Sequence, residues 1–249
     1  MPYTFISGGL SDKGLIRENN EDAWGEIEAC NFYTLADGMG GHQAGEVAAR
    51  EAVSHLLRLV RKCFKSLKPK SLPELAKEIK QAMIRVNTIV HTLGKSAPDL
   101  RGMGTTLCAI LFQEGGAIIA HVGDSRIYRV RDGHLEQMTK DHSLFSELVE
   151  LGQLSEHISS EFAYKNIITK AIGTEPSVEP EVVIEDLHPE DTYLLCTDGL
   201  SDLIKPEEMI SILTQDKSPQ EMAQAFVKLA NERGGHDNIT AIIIKAHEI

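Results

Sequence analysis

After two long helical stretches the hydrophobic period of this chain shortens to that of strands, and that change limits its fold more than any other feature. Apolar residues fall at Ala44, Val47, Ala48, Ala52, Leu56, Val60, Cys63 and Phe64, then at Leu75, Ile79, Ala82, Met83, Val86, Val90 and Leu93. Both sets have helical spacing and predict two long amphipathic helices in succession. Ser71-Leu72-Pro73-Glu74, after Pro69, has the pattern of a capping box opening the second helix. Beyond it the period shortens. Residues 105–112, 117–122, 126–130 and 135–138 predict consecutive strands, with Asp132-Gly133 as the turn of a hairpin. A mixed stretch over 141–173 precedes strands near 181–184 and 193–197, a helix from the Ser218 cap to about Asn231, and a closing strand at 239–245. Strand runs interrupted by paired helices imply an α+β fold with antiparallel sheets, because a parallel sheet would need strict strand–helix alternation.

The 249 residues show neither a repeat of the solenoid kind nor a Gly/Ser-rich or Pro-rich linker, so one continuous domain over 1–249 is expected. The balance of 25 Lys+Arg against 37 Asp+Glu leaves a net charge of −12, which argues against nucleic acid as partner, since that needs a basic face. The chain lacks an apolar run of membrane-spanning length, and Met1-Pro2-Tyr3-Thr4-Phe5 does not resemble a secretory signal. Cys30, Cys63, Cys108 and Cys196 stand singly, as reduced core residues do. A cytoplasmic protein without a membrane partner is expected. Arg61, Lys62, Lys65 and Lys68 read as cations complementing a helix C-terminus.

Several compact chemistries are excluded. Gly40 and Gly45 approach a phosphate loop, but Glu46 follows where Lys is needed, and its charge would repel a phosphate. Gln43 and Leu107 occupy positions where a dinucleotide fingerprint needs glycine. None of the four cysteines has Arg six residues later, and neither a Gly-x-Ser-x-Gly elbow nor a His-Glu-x-x-His helix is present.

What remains is a set of carboxylates at the ends of apolar runs. Residues 32–36 end in Asp37-Gly38-Met39-Gly40-Gly41, 118–123 in Asp124-Ser125-Arg126, and 193–197 in Asp198-Gly199-Leu200-Ser201-Asp202, while His236-Asp237-Asn238 opens the last strand. Carboxylates gathered at one sheet rim repel one another and raise each other's pKa, so such a cluster favours a neutralising cation. Hard oxygen donors select Mg²⁺, Mn²⁺ or Ca²⁺. The competing reading is four unrelated turns. Arg17-Glu18-Asn19-Asn20-Glu21-Asp22, after a first strand, adds two carboxylates and an arginine suited to a phosphate.

Taken in order, these segments resemble the metal-dependent type 2C (PPM) protein serine/threonine phosphatases, in the compact bacterial form. The resemblance runs through residues 17–23, 36–42, 104–106, 122–126, 141–143, 168–173, 197–202 and 235–240. It implies a four-layer αββα sandwich: two antiparallel sheets flanked by pairs of helices, with the site in a cleft at one end. It further implies two Mn²⁺ or Mg²⁺ ions bridged by Asp37, one completed by Asp198 and Asp237, the other by Glu21 and the Gly38 carbonyl. Asp22 would act through water, Arg17 would hold the substrate phosphate, and Asn238 would brace the ligands from behind. Asp124 and Asp202 would form a weaker third-metal site. The implied reaction is hydrolysis of phosphoserine and phosphothreonine in proteins by direct attack of water activated between two metals, opposing a bacterial Ser/Thr kinase.

Two points depart from the family pattern or stay open. Animal relatives have a histidine after the Asp-Gly pair, whereas Met39 stands here and has no proton to give; His42 is the remaining candidate for the general acid. Residues 143–166 correspond to the variable flap, read as a helix ending at Gly152 and a loop with Ser155, Ser159 and Ser160, where substrate choice is expected. A phosphoprotein-binding module without catalysis and a two-metal phosphodiesterase are the alternative readings. The first should have lost metal ligands, and every one that can be placed is retained.

Overall fold

The structure, a computed structural model, describes residues 3–40, 44–64, 70–155, 164 and 167–248. Its strands are β1 (Tyr3–Asp12), β2 (Asp22–Ile27), β3 (Phe32–Met39), β4 (Gly104–Thr105), β5 (Leu107–Gln113), β6 (Gly116–Val122), β7 (Arg126–Arg131), β8 (His134–Gln137), β9 (Glu181–Glu185), β10 (Thr192–Cys196) and β11 (Ile239–Glu248). The helices are α1 (Ala44–Cys63), α2 (Leu72–Gly94), α3 (Leu144–Glu150), α4 (Asp198–Ser201), α5 (Pro206–Leu213) and α6 (Pro219–Glu232).

One sheet runs β1-β11-β10-β7-β8 and the other β2-β3-β5-β6-β9, with β4 paired to β3, and every pairing is antiparallel. The central strands are apolar on both faces because both faces are covered. On β5, Leu107, Ala109 and Leu111 pack with α1 and α2, while Cys108, Ile110 and Phe112 meet Ile127, Tyr193, Leu195, Ile242 and Ile244 of the facing sheet. On β10, Leu194 and Cys196 turn instead towards α5 and α6, which supply Met209, Leu213, Met222, Phe226 and Ala230. The order is thus helices, sheet, sheet, helices, as the resemblance implied. Phe112 ties the middle layer, stacked on Phe5 with ring centroids 4.3 Å apart and edge-on to Tyr193 at 5.0 Å.

Helix boundaries follow local chemistry. Ser71 and Glu74 form the expected capping box on α2, with Glu74 accepting from the Ser71 N–H and hydroxyl at 2.8 Å each, and Ser218 with Glu221 repeats the device on α6. The hairpin around Asp132-Gly133 closes with Arg131 opposite His134. Strand β2 and helix α5 were not anticipated as elements: β2 is half-buried along its whole length and so lacks a clean alternation, and α5 spans only eight residues behind Pro206.

Candidate active site

The strand-end carboxylates converge at one rim, where both sheets contribute. Antiparallel pairing of β2 with β3 sets Asp22 directly opposite Asp37. The backbone of Asp37 is fixed on both sides: its N–H donates to Thr106 Oγ1 at 2.8 Å, and its carbonyl accepts from Thr106 N–H at 2.9 Å and Thr105 Oγ1 at 2.8 Å. The Gly104-Thr105-Thr106 segment therefore holds the central aspartate in place. From the facing sheet, β10 delivers Asp198 at the first turn of α4, and β11 begins just after Asp237 and Asn238. Asn238 ties this rim to the N-terminal segment: Oδ1 accepts from Glu21 N–H at 2.7 Å, and Nδ2 donates to the Lys13 and Asn19 carbonyls at 2.9 and 2.8 Å. It braces the loop that carries Arg17, Glu21 and Asp22.

The Gly38 position shows why side chains are missing there. A Cβ on Gly38 would lie 2.2 Å from the Gly45 carbonyl oxygen and 2.6 Å from that of Glu21, and a Cβ on Gly45 would lie 2.6 Å from Glu21 Oε2. The start of α1 thus presses its bare backbone against the Glu21 carboxylate and Gly38. Sequence reasoning did not single out Gly45 as part of this site; a glycine inside the first turn of a long helix was the available signal.

The electrostatics are those of crowded, buried anions. Burial pushes Asp37 well above the ordinary carboxylate range, and the negative charges of Asp22, Asp198, Asp124 and Asp237 add to it. Burial also raises Asp22 to about 7, although the Thr240 and Thr197 hydroxyls donate to its Oδ2 at 2.6 and 3.0 Å. Asp124 rises to about 7 from burial and the charges of Asp198 and Asp141. Asp198 rises to about 6 from burial with Asp237 and Asp202 beside it. Burial raises Glu21 as well, partly offset by Arg17. Arg17 reaches Asp237 Oδ2 at 2.6 Å. Near Asp124, Arg126 is already engaged, with three contacts of 2.6 to 3.0 Å to Asp141 and one to the Tyr128 hydroxyl.

This cluster fits divalent metal ions. Oδ1 of Asp22 and Oδ1 of Asp198 are buried from water and have no hydrogen-bond partner among the described residues. Leaving such atoms unpaired is costly unless a cation meets them. All donors are oxygens, which suits Mg²⁺ or Mn²⁺ and not a soft metal. The structure brings Glu21, Asp22, Asp37, Gly38, Asp124, Asp198, Asp202, Asp237 and Asn238 into one neighbourhood, with Arg17 at its edge. His42, Ser159 and Ser160 lie outside the described residues. Beside Asp124, His142 N–H donates to the Gly123 carbonyl at 3.0 Å, and Leu144 N–H donates to the Ile167 carbonyl at 2.8 Å.

A two-sheet sandwich with an acidic rim of this composition defines a protein built to hold divalent cations, and comparison with known proteins gives it a family. The protein phosphatase 2C family model matches residues 16–238. The chain belongs to the protein phosphatase 2C family. It is 38% identical over 239 residues to the serine/threonine phosphatase stp of Listeria welshimeri, covering 94% of this chain and 93% of that protein. It is 37% identical to the serine/threonine protein phosphatase PstP of Mycobacterium tuberculosis over 94% of this chain and 43% of that longer protein. The crystal structure of the M. tuberculosis phosphatase superposes with a TM-score of 0.89 at 35% identity, covering 98% of this chain and 99% of that one. A structure of the PstP catalytic domain in complex with two manganese ions superposes with a TM-score of 0.86 at 34% identity, covering 99% and 100%.

Proposed function

We propose that this chain is one catalytic domain of a metal-dependent protein serine/threonine phosphatase, acting on phosphoserine and phosphothreonine in proteins and opposing a bacterial Ser/Thr kinase. The observation that carries the reading is the convergence of Asp22, Asp37, Asp198 and Asp237 with two buried, unpartnered carboxylate oxygens and one arginine at the edge. Two ions of Mn²⁺ or Mg²⁺ would sit here, in keeping with the two manganese ions of the PstP relative. When bound they supply Lewis acidity, activating a water for in-line attack and offsetting charge on the phosphoryl oxygens.

The residues divide that work. Asp37, whose backbone N–H and carbonyl are held by Thr105 and Thr106, would be the ligand shared between the ions. Asp198 and Asp237 would serve one ion and Glu21 with the Gly38 carbonyl the other, while Asp22, whose Oδ2 accepts from the Thr197 and Thr240 hydroxyls, would act through water. Arg17 is half-exposed at the mouth, and its planar fork has donors to spare for two phosphoryl oxygens. Asp124 and Asp202 are the proposed third-metal ligands. His42 is the proposed proton donor to the leaving alkoxide, because Met39 carries no ionisable group. The free thiols Cys30, Cys63, Cys108 and Cys196 are in keeping with a reducing, cytoplasmic setting. Among the described residues, no helix is long and apolar enough to cross a membrane.

The test is turnover. Purified protein with Mn²⁺ should hydrolyse an aryl phosphate and a phosphothreonine peptide, and Asp37→Asn should abolish both activities. Hydrolysis that persists after metal removal, or in that variant, would overturn the mechanism.

A further inference from the structure

Charge is distributed very unevenly between the two ends of α1. Its N-terminus presses on the acidic site, whereas residues 52–73 contain six cations (Arg58, Arg61, Lys62, Lys65, Lys68 and Lys70) and not one Asp or Glu, in a chain of net charge −12. Between this end of α1 and the facing side of α2 lies a groove of about 560 Å³. Leu59, Cys63 and Ala82 contribute its apolar lining. Lys62 stands on one wall; Lys77, Gln81 and Arg85 stand on the other, four residues apart and hence in one row along α2.

The charges in this groove are not mutually satisfied. Both of its carboxylates are committed, Glu78 to Lys70 at 2.7 Å and Glu74 to the Ser71 cap. Lys62, Lys77 and Arg85 are exposed and make no ion pair among the described residues. A helix dipole accounts for Lys62, in the last turn of α1, but not for the others: Lys77 lies in the second turn of α2, where the dipole disfavours a cation, and Arg85 lies mid-helix.

We propose that this groove docks an acidic segment of the phosphoprotein substrate, away from the phosphorylated residue itself. The inference rests on the reading of the protein as a protein phosphatase. An apolar floor between two basic walls suits a polypeptide whose carboxylates reach the cations from within the groove, whereas a flat anionic bilayer would meet only its rim. Lys62 lies seventeen residues along α1 from Gly45, or about 25 Å from the catalytic rim. At about 3.3 Å per extended residue, a substrate must place roughly eight or more residues between its phosphorylated side chain and its acidic segment. Short phosphopeptides fall outside this reach.

The experiment compares phosphothreonine peptides that carry a hexaglutamate segment, joined by a Gly/Ser spacer of either three or sixteen residues, with hexaglutamine counterparts. With the long spacer, the acidic peptide should show a KM about tenfold lower than its glutamine counterpart at low salt and an unchanged kcat, and the gain should fade as salt rises. With the short spacer, the two should be equal. The Lys62→Glu, Lys77→Glu, Arg85→Glu triple variant should lose the gain and keep full aryl phosphate hydrolysis, while Lys62→Arg, Lys77→Arg, Arg85→Lys should retain it. Equal KM values for the two long-spacer peptides, with aryl phosphate turned over normally, would overturn the docking site and leave the catalytic reading intact. Wild-type protein that sediments with phosphatidylglycerol vesicles and is not released by unphosphorylated hexaglutamate peptide would also overturn it, in favour of a lipid surface. Absence of aryl phosphate turnover would instead sink the catalytic reading, and direct titration of fluorescent hexaglutamate peptide would then still report on the groove.

Discussion

Strand β10 has an aspartate beyond each end, one buried and one half-buried with an oxygen shut off from water, and the fold provides for the two in opposite ways. Before it, Asp191 is fully buried and fully paired: Arg131 donates to both carboxylate oxygens at 2.7 Å, with His188 N–H at 3.0 Å and the Tyr193 hydroxyl at 3.2 Å on Oδ2. After it, Asp198 has an unpartnered Oδ1, and the acids Asp237, Asp202 and Asp37 for neighbours. Seven residues separate a carboxylate whose counterion the fold supplies from one whose counterion must come from outside. Burial alone does not mark a functional charge; a shut-off carboxylate oxygen with no internal counterion does.

Removing the charge tests this contrast most severely at the catalytic end. Asp198→Asn should cost on the order of 10³-fold in kcat, since one metal would lose a ligand worth several kcal/mol in the transition state. The same change relieves repulsion in the metal-free protein, so its thermal midpoint should rise, and the further rise on adding Mn²⁺ should shrink. A fall in the metal-free midpoint would mean that Asp198 has an internal partner after all.

The opposite pattern is expected at Asp191. Asp191→Ala leaves the Tyr193 hydroxyl and the His188 N–H without their acceptor and Arg131 with only the Asp186 carbonyl, and should destabilise the protein by about 3 kcal/mol, because breaking a buried pair is much worse than never having formed it. Denaturant unfolding measures the loss. Activity per folded molecule should stay at the wild-type level, and added Mn²⁺ should stabilise the variant by the same increment as the wild type.

The two ends also differed in how well the sequence exposed them. Asp37 and Asp198 were legible because continuous apolar runs led into Asp-Gly, and a strand buried on both faces has few other reasons to end that way. Asp191 gave no such signal: its partner Arg131 is sixty positions away, and only the pairing of β7 with β10 brings them together. Strand order was hidden for the same reason, since the contacts that set it are long-range. The first strand was expected despite the two glycines within β1, and the structure gives their cause: a Cβ on Gly8 would lie 2.3 Å from the Gln220 backbone nitrogen, and one on Gly9 would strike the Trp24 ring. The cation cluster around Lys62 was visible in the sequence, but the α2 side of the groove depended on how the two helices pack.

pH offers a graded form of the comparison. Burial and neighbouring negative charge push Asp22 and Asp124 up to about 7 and Asp198 up to about 6, all above the ordinary aspartate value of 3.8. The folded state therefore binds protons that the unfolded chain has already released between pH 3.8 and about 7. Metal-free protein should lose stability as pH rises through that window, by on the order of 2 kcal/mol or more, and level off above it. Saturating Mn²⁺ should flatten or invert the slope, since cations then replace the protons. Thermal melts across pH 4 to 8 with and without metal read both curves, and a metal-free slope of the opposite sign would refute the account.

The smallest contrast comes from removing one hydroxyl at each end. Thr240 is buried and its hydroxyl donates to Asp22 Oδ2, favouring the charged carboxylate. Thr240→Val keeps the shape and removes that donor, so it should cost about 1 kcal/mol and move Asp22 further upward. The rising limb of the pH–rate profile in Mn²⁺ should then shift to higher pH, because the carboxylate must shed its proton before it can support a metal. Tyr193→Phe removes the longest of the donors to Asp191, which keeps both arms of Arg131 and the His188 N–H. It should cost less stability and leave the pH–rate profile where it was. A profile that moves equally in both variants would mean that the hydroxyls act through general loosening of the sandwich, and the distinction between the two aspartates would fail at its finest scale.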